Sequence, residues 1–161
     1  MQAAITPEQF EVLLPLACQW ARAQEQHILA AGAPLSQMAL ADARRVGVSQ
    51  PERVCILYVP EIPVPEHPAL RAAAEQTQLI SPLTRGLTLR YGIFIRADCA
   101  SSRQMVVHEL GHTAQYERRG GFEPFLRQYL SECLTIGYPE APMEQEVISL
   151  TALICGSQEQ T

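Results

Sequence analysis

His108-Glu109-Leu110-Gly111-His112 sets two imidazoles four residues apart, with a carboxylate next to the first. On a helix, four residues turn through about 400° and rise roughly 6 Å, so both rings leave one face. Two neutral imidazoles so placed can share one zinc ion at Zn–N distances of about 2.0–2.1 Å. Glu109 lies about 100° round the helix, where it misses the metal and still reaches a water bound to it. Zinc brings the pKa of such a water to about 7, and the carboxylate takes its proton as the oxygen attacks a carbonyl. The plain alternative is a helix with two partly buried histidines.

A catalytic zinc site needs a third protein ligand and an open fourth position. Downstream, Ala141 to Val147 contains Glu144 and Glu146. On a helical wheel they flank an apolar stripe of Met143, Val147, Leu150 and Ile154, while Gln145 and Ser149 face away from it. A carboxylate bordering a core face needs a partner, and a metal is one. The positive end of a helix is another, so periodicity leaves both glutamates open. Cys99, nine residues before His108, is a further possible ligand, as in a metal hydrolase of small amides; a buried free cysteine is the commoner case.

These side chains have to be placed by surrounding elements. Thr6-Pro7-Glu8-Gln9 reads as a capping box opening a helix to about Ala30, with Pro15 expected to kink it. Ser36 is expected to cap a second helix ending near Gly47. Val54 to Val59 reads as a buried strand, prolines 60 to 68 as a loop, and Leu70 to Gln78 as a helix. Leu87 to Arg96 alternates at near period two and reads as one strand, with Gly92 marking a bulge or a close approach of another backbone. Ser101, with Gln104 reaching back, is expected to cap the helix that carries the histidines and stops at Gly120-Gly121. Gly111 leaves a gap on that helix where other backbone could pack. The apolar stripe Phe122 to Leu134 predicts a core helix closed by Gly137, and Pro142 opens a last helix through Cys155. The order predicts an α+β fold, mainly helical, with a small sheet packed on the active-site helix.

HELGH followed by two helices and a downstream glutamate resembles the gluzincin metallopeptidases, especially the compact minigluzincins. The resemblance covers residues 87 to 150. It implies a zincin-like fold, one Zn2+ held by His108, His112 and Glu144, and Glu109 as the catalytic carboxylate. It favours Glu144 over Glu146, because Glu144-Gln145-Glu146-Val147 aligns with the E-x-x-A of the family's glutamate helix. It also implies that Tyr91 to Arg96 is a substrate-binding edge strand, although so apolar a run reads on composition as a central one. Ile148 stands where that pattern has an aspartate that orients a zinc histidine, a task left to Asp98 or a backbone carbonyl. For the oxyanion-stabilising donor that the resemblance implies, Tyr138 is the first candidate, with Tyr91 and His67 behind it; His27 reads as an exposed helix residue. Gln115, Tyr116 and the charged run 117 to 119 read as a helix end.

Composition narrows the function classes. The 161 residues carry a net charge of −5 with scattered basic residues, all arginine, which argues against nucleic acid as a partner. No apolar run reaches the roughly 20 residues that cross a bilayer, and the start lacks the features of a signal peptide. Five cysteines without C-x-x-C spacing fit a reducing cytoplasm better than a disulfide framework. The expectation is a single domain over residues 1 to 161, with a helical part in residues 1 to 50 and a metal-site core in 87 to 155. Its expected function is a zinc-dependent peptidase acting on a peptide or protein. A zincin scaffold that only binds, and a small-amide hydrolase, are the alternatives.

Overall fold

Short polar residues start three of the helices and glycines end several of them. In the computed structural model, which describes residues 4–156, the Thr6 hydroxyl accepts from Gln9 N–H at 3.1 Å. The Gln9 side chain accepts from Thr6 N–H at 2.8 Å, opening α1 (Pro7–Ala31), which continues through Pro15. Ser36 caps α2 (Gln37–Val46), and Gly47 ends it at φ 102°. After α3 (Pro68–Thr77), the histidine helix α4 (Arg103–Arg119) is capped by Ser102 rather than Ser101, since a tight turn over Ala97–Cys99 carries the chain one residue further. Gly120, at φ 98°, stops it. Then follow α5 (Phe122–Thr135), with Gly137 just beyond it at φ 106°, and α6 (Pro142–Cys155).

The expected strand Leu87 to Arg96 is two strands. β3 (Gly86–Leu89) and β4 (Gly92–Arg96) form a hairpin turning at Arg90-Tyr91, with Arg90 at φ 62°. With β1 (Ala33–Pro34), which the sequence did not suggest, and β2 (Cys55–Val59), they make a mixed sheet of order β1-β2-β4-β3. β2 and β4 are parallel, and the other two pairs are antiparallel. β4 is therefore central and not the edge strand that the resemblance implied. The edge is β3. β2 is only partly buried, since Tyr58 faces solvent. The fold is α+β, with six α-helices and four strands among the described residues.

The sheet has helices on both faces, which explains why β4 is apolar on both sides. Phe94 points into a core built with α1, α5 and the end of α4, including Leu14, Ile28, Phe125 and Tyr116. Ile93 and Ile95 point into a second core with α2 and α4, including Val46, Val107 and Leu110. Gly92 is a close approach: a Cβ there would sit 3.1 Å from the Ile28 side chain and 3.2 Å from Glu25 Cα on α1. Gly111 does the same for α4 and α6, though what fills its gap is a side chain, with Val147 Cγ1 3.0 Å from the position of an added Cβ. That contact seats the first turn of α6 beside the histidines. No helix among the described residues is long and apolar enough to cross a membrane.

Candidate metal centre

His108 and His112 leave α4 on one face, with ring centroids 5.1 Å apart. Glu144 enters from the first turn of α6, its side chain 1% exposed. Its Oε1 lies 2.6 Å from His108 Nε2 and its Oε2 3.1 Å from His112 Nε2. The ligand atoms of the three residues all fall within 4.8 Å of one another. A tetrahedral zinc shell with bonds of about 2.0–2.1 Å sets neighbouring donors about 3.3 Å apart, so a modest adjustment of the three atoms would hold that ion.

The hydrogen bonds behind the cluster choose the histidine tautomer. Gln115 Nε2 donates to the Met143 carbonyl and to Glu146 Oε1, both at 2.8 Å. With both amide hydrogens used, Gln115 Oε1 faces His112 Nδ1 at 2.9 Å as an acceptor. Nδ1 therefore carries a proton, and in the neutral ring Nε2 turns its lone pair toward Glu144. A lone pair opposite a carboxylate oxygen repels it unless a proton or a metal cation lies between them. The donor set is three Lewis bases aimed at one point, which suits a divalent cation such as zinc.

Where a proton and not a metal lies between them, the imidazoles donate from Nε2 to Glu144. Burial pushes the Glu144 carboxyl up, but hydrogen bonds from His108 and His112 outweigh it and hold the group well below the ordinary carboxylate range. Burial lowers the His112 imidazole, and the Glu144 hydrogen bond and charge reverse the effect and raise it. Tyr129 on α5 donates to Glu144 Oε2 at 2.9 Å and stands edge-on to the His112 ring at 5.5 Å. It fixes the carboxylate from behind.

Glu109 is buried on the same helix, facing the edge strand. The Thr88 hydroxyl donates to Glu109 Oε1 at 2.7 Å, with the Glu109 carbonyl at 2.9 Å as its alternative acceptor. Gly86 leaves room for the other oxygen, since a Cβ on that residue would lie 2.8 Å from Glu109 Oε2. Glu109, the cluster and Tyr138 all line one cavity of about 650 Å³. Tyr138 is 48% exposed. Burial, followed by the negative fields of Glu144 and Glu109, raises its phenol to about 12, so it keeps its proton at neutral pH.

Other candidate residues lie elsewhere. Glu146 is outside the group; it accepts from Gln115 and Arg118 at the surface. Cys99 is not part of the group, and its thiol rests on Asp98 Oδ1. Asp98 is paired with Arg96 and not with a histidine. The Tyr91 hydroxyl donates to Glu117 at 2.8 Å in a separate pocket lined by Ser49, Gln50 and Arg53, which removes it as an oxyanion donor for this cluster. His67 precedes α3 and is absent from the cavity wall, and His27 is exposed.

Gln115, Tyr129 and Glu132 escaped the reading of the sequence. Residues 115 to 119 do close α4, as expected of a helix end, but Gln115 and Tyr116 are core residues as well. Glu132 on α5 accepts from Met143 N–H at 2.8 Å, capping an α6 whose own Ala141 has no capping side chain. Gln115 had a signal, since it stands three residues after His112 and so on the same face. Comparison with protein-family models, curated proteins and solved structures gave no match.

Proposed function

We propose that this chain is a zinc-dependent metallopeptidase of gluzincin-like type, hydrolysing an amide bond in a peptide or protein. The observation that carries the reading is the convergence of His108 Nε2, His112 Nε2 and the Glu144 carboxylate, with Glu109 lining the same cavity. A bound zinc would supply Lewis-acid polarisation of a carbonyl and a water of lowered pKa. Every other part belongs to the protein. Glu109 takes the proton of the attacking water at a carboxylate oxygen and returns it to the leaving amine, while the Thr88 hydroxyl holds its other oxygen. Tyr138, protonated at neutral pH, donates to the oxygen that becomes negative.

The open edge of β3 serves the substrate. Arg85 and Arg96 pair across the hairpin end, Arg96 N–H donating to the Arg85 carbonyl at 2.8 Å, and Leu87 faces Phe94. By the antiparallel alternation the main-chain groups of Gly86 and Thr88 then point away from β4. The Tyr116 hydroxyl takes the Thr88 carbonyl. The remaining outward groups offer main-chain pairing to an extended peptide.

The test is cleavage of a mixed peptide library by the zinc-loaded wild type and by Glu109→Gln, with zinc content measured in both. The variant is expected to keep one zinc and to lose about 10²–10⁴-fold in turnover. Equal turnover in the two would remove Glu109 from the chemistry. Full zinc with no cleavage by the wild type would leave a scaffold that only binds.

A further inference from the structure

The amino-terminal helix carries no motif, yet it forms a wall of the cavity that holds the cluster. Phe10, Leu13, Leu14, Ala17 and Trp20 of α1 line it, together with α3, the 78 to 85 loop, β3 and α5. Resting on the peptidase reading above, we infer that α1 sets the specificity of the site: the cleft takes a peptide bearing large apolar side chains next to the cleaved amide, bedded against Phe10, Leu13, Ala17 and Trp20.

Three observations carry this. First, apart from Arg85, Glu109, Glu144, the two histidines and three tyrosines, the wall carries no ionisable side chain. A charged substrate residue entering past the cluster would lose water without gaining a partner. Second, Phe10, Leu13, Ala17 and Trp20 are only half-buried although they face a concavity. Phe10, Ala17 and Trp20 belong to the α1 face that packs on the core, and an occupant of about 650 Å³ would complete the burial of all four. Pockets of this size enclose a ligand of several side chains. Third, the occupant is a peptide and not a simple acyl chain. Residues 85 to 89, on and beside the edge strand β3, lie along the same cavity, and a peptide could pair with the outward main-chain groups of Gly86 whereas an acyl chain could not.

Trp20 is the single tryptophan, so its emission reports on the α1 wall alone. The experiment titrates zinc-loaded Glu109→Gln with an apolar peptide rich in leucine and phenylalanine, a serine- and glutamine-rich peptide of equal length, and a long-chain N-acylglycine. The same ligands are offered as substrates to the wild type. The apolar peptide is expected to give a saturable change in Trp20 emission and to be preferred in binding and in kcat/KM by at least about tenfold per apolar side chain retained. Ala17→Phe, which fills the cleft, and Leu13→Gln, which adds a polar group to its wall, are each expected to erase that preference; either suffices if the other misfolds.

Equal handling of the two peptides would overturn the inference, and so would saturable binding of the acyl compound alone. If the apolar peptide binds selectively to the variant while the wild type cleaves nothing, the inference about the cleft stands and the peptidase reading falls.

Discussion

Buried carboxylates occur in two settings in this molecule, and the difference between them separates scaffold from site. Glu25 on α1 accepts two hydrogen bonds of 2.8 Å from the Arg90 guanidinium and a third from Tyr91 N–H at 3.0 Å. Asp42 on α2 is closed in the same bidentate way by Arg103, at 2.9 Å twice. Each brings its own permanent cation, as a structural buried charge must. Glu144 is at least as buried but has no arginine; it faces two imidazoles and a tyrosine hydroxyl. Its neutralising charge has to come from a proton or a metal. The first two carboxylates are closed by permanent cations that hold the fold together, and the third faces groups whose charge depends on a proton or, on the reading proposed above, a metal.

Exchanging each kind of carboxylate for its amide tests that contrast most strongly. Glu144→Gln is expected to weaken zinc binding by far more than the about 10–100-fold that loss of an outer hydrogen-bond partner costs, since a ligand is removed. Its effect on urea unfolding of the metal-free protein is expected to be smaller than that of Glu25→Gln, because an amide can still donate to a neutral imidazole and accept from Tyr129. Glu25→Gln should do the reverse. It turns an amide group against Arg90 and leaves that cation without its charge partner, costing about 2–4 kcal/mol, with Arg90's partial access to solvent keeping the loss below the upper range. Zinc affinity, read by chelator competition, should stay at the wild-type level. A Glu144→Gln variant that unfolds readily, or a Glu25→Gln variant that loses zinc, would merge the two classes.

What could be read from the chain follows the range of the forces involved. The capping box at Thr6 and Gln9, the glycine stop at 120 and the proline start at 142 act within one helical turn, and all three stand where the sequence puts them. The hairpin was hidden because nothing local makes it. Arg90 and Tyr91 are not turn residues of the Asn-Gly kind. Arg90 takes φ 62° because Glu25, 65 positions away, holds its guanidinium and the Thr113 hydroxyl donates to its carbonyl at 2.7 Å. In the candidate site, helical spacing placed the two histidines on one face, but it could not choose between Glu144 and Glu146. That choice is made by the packing of α6 on Gly111, a contact between helices. On the gluzincin-like reading, Gln115 would do the work of the aspartate replaced by Ile148, and it would do so from the histidine helix itself, where no motif looks for it.

Two variants then sharpen the comparison inside the site. Gly86→Ala places a methyl 2.8 Å from Glu109 Oε2, and the mobile carboxylate end gives way more cheaply than backbone would. Thermal stability and zinc content are expected to hold while turnover falls about 100-fold, the scale of an ångström's misplacement of a catalytic group. Unchanged turnover would show that the position of Glu109 does not matter. Gln115→Met keeps the volume but removes the acceptor from His112 Nδ1 and the donor from the Met143 carbonyl. Zinc affinity should fall about 10–100-fold, and stability by about 1–2 kcal/mol for the polar groups left unpaired. Full affinity in this variant would mean that the tautomer is set by something other than Gln115.

The smallest expected effect is at Gly111, where two contributions to stability oppose each other. Alanine is the better helix former by about 0.8–1 kcal/mol. Its Cβ would meet Val147 Cγ1 at 3.0 Å, and relieving that contact by a few tenths of an ångström costs a similar amount. The melting temperature of Gly111→Ala should therefore barely move. The displacement still has a direction, because Val147 rides on the helix that carries Glu144 one turn earlier. Pushing α6 outward withdraws the carboxylate from both imidazoles while leaving the Arg90–Glu25 and Arg103–Asp42 pairs untouched. Zinc affinity should drop several-fold at unchanged stability, and Gly111→Val should drop it further at a clear cost in stability. Equal zinc affinity across the three chains would mean that α6 is placed by the Glu132 cap and not by the glycine.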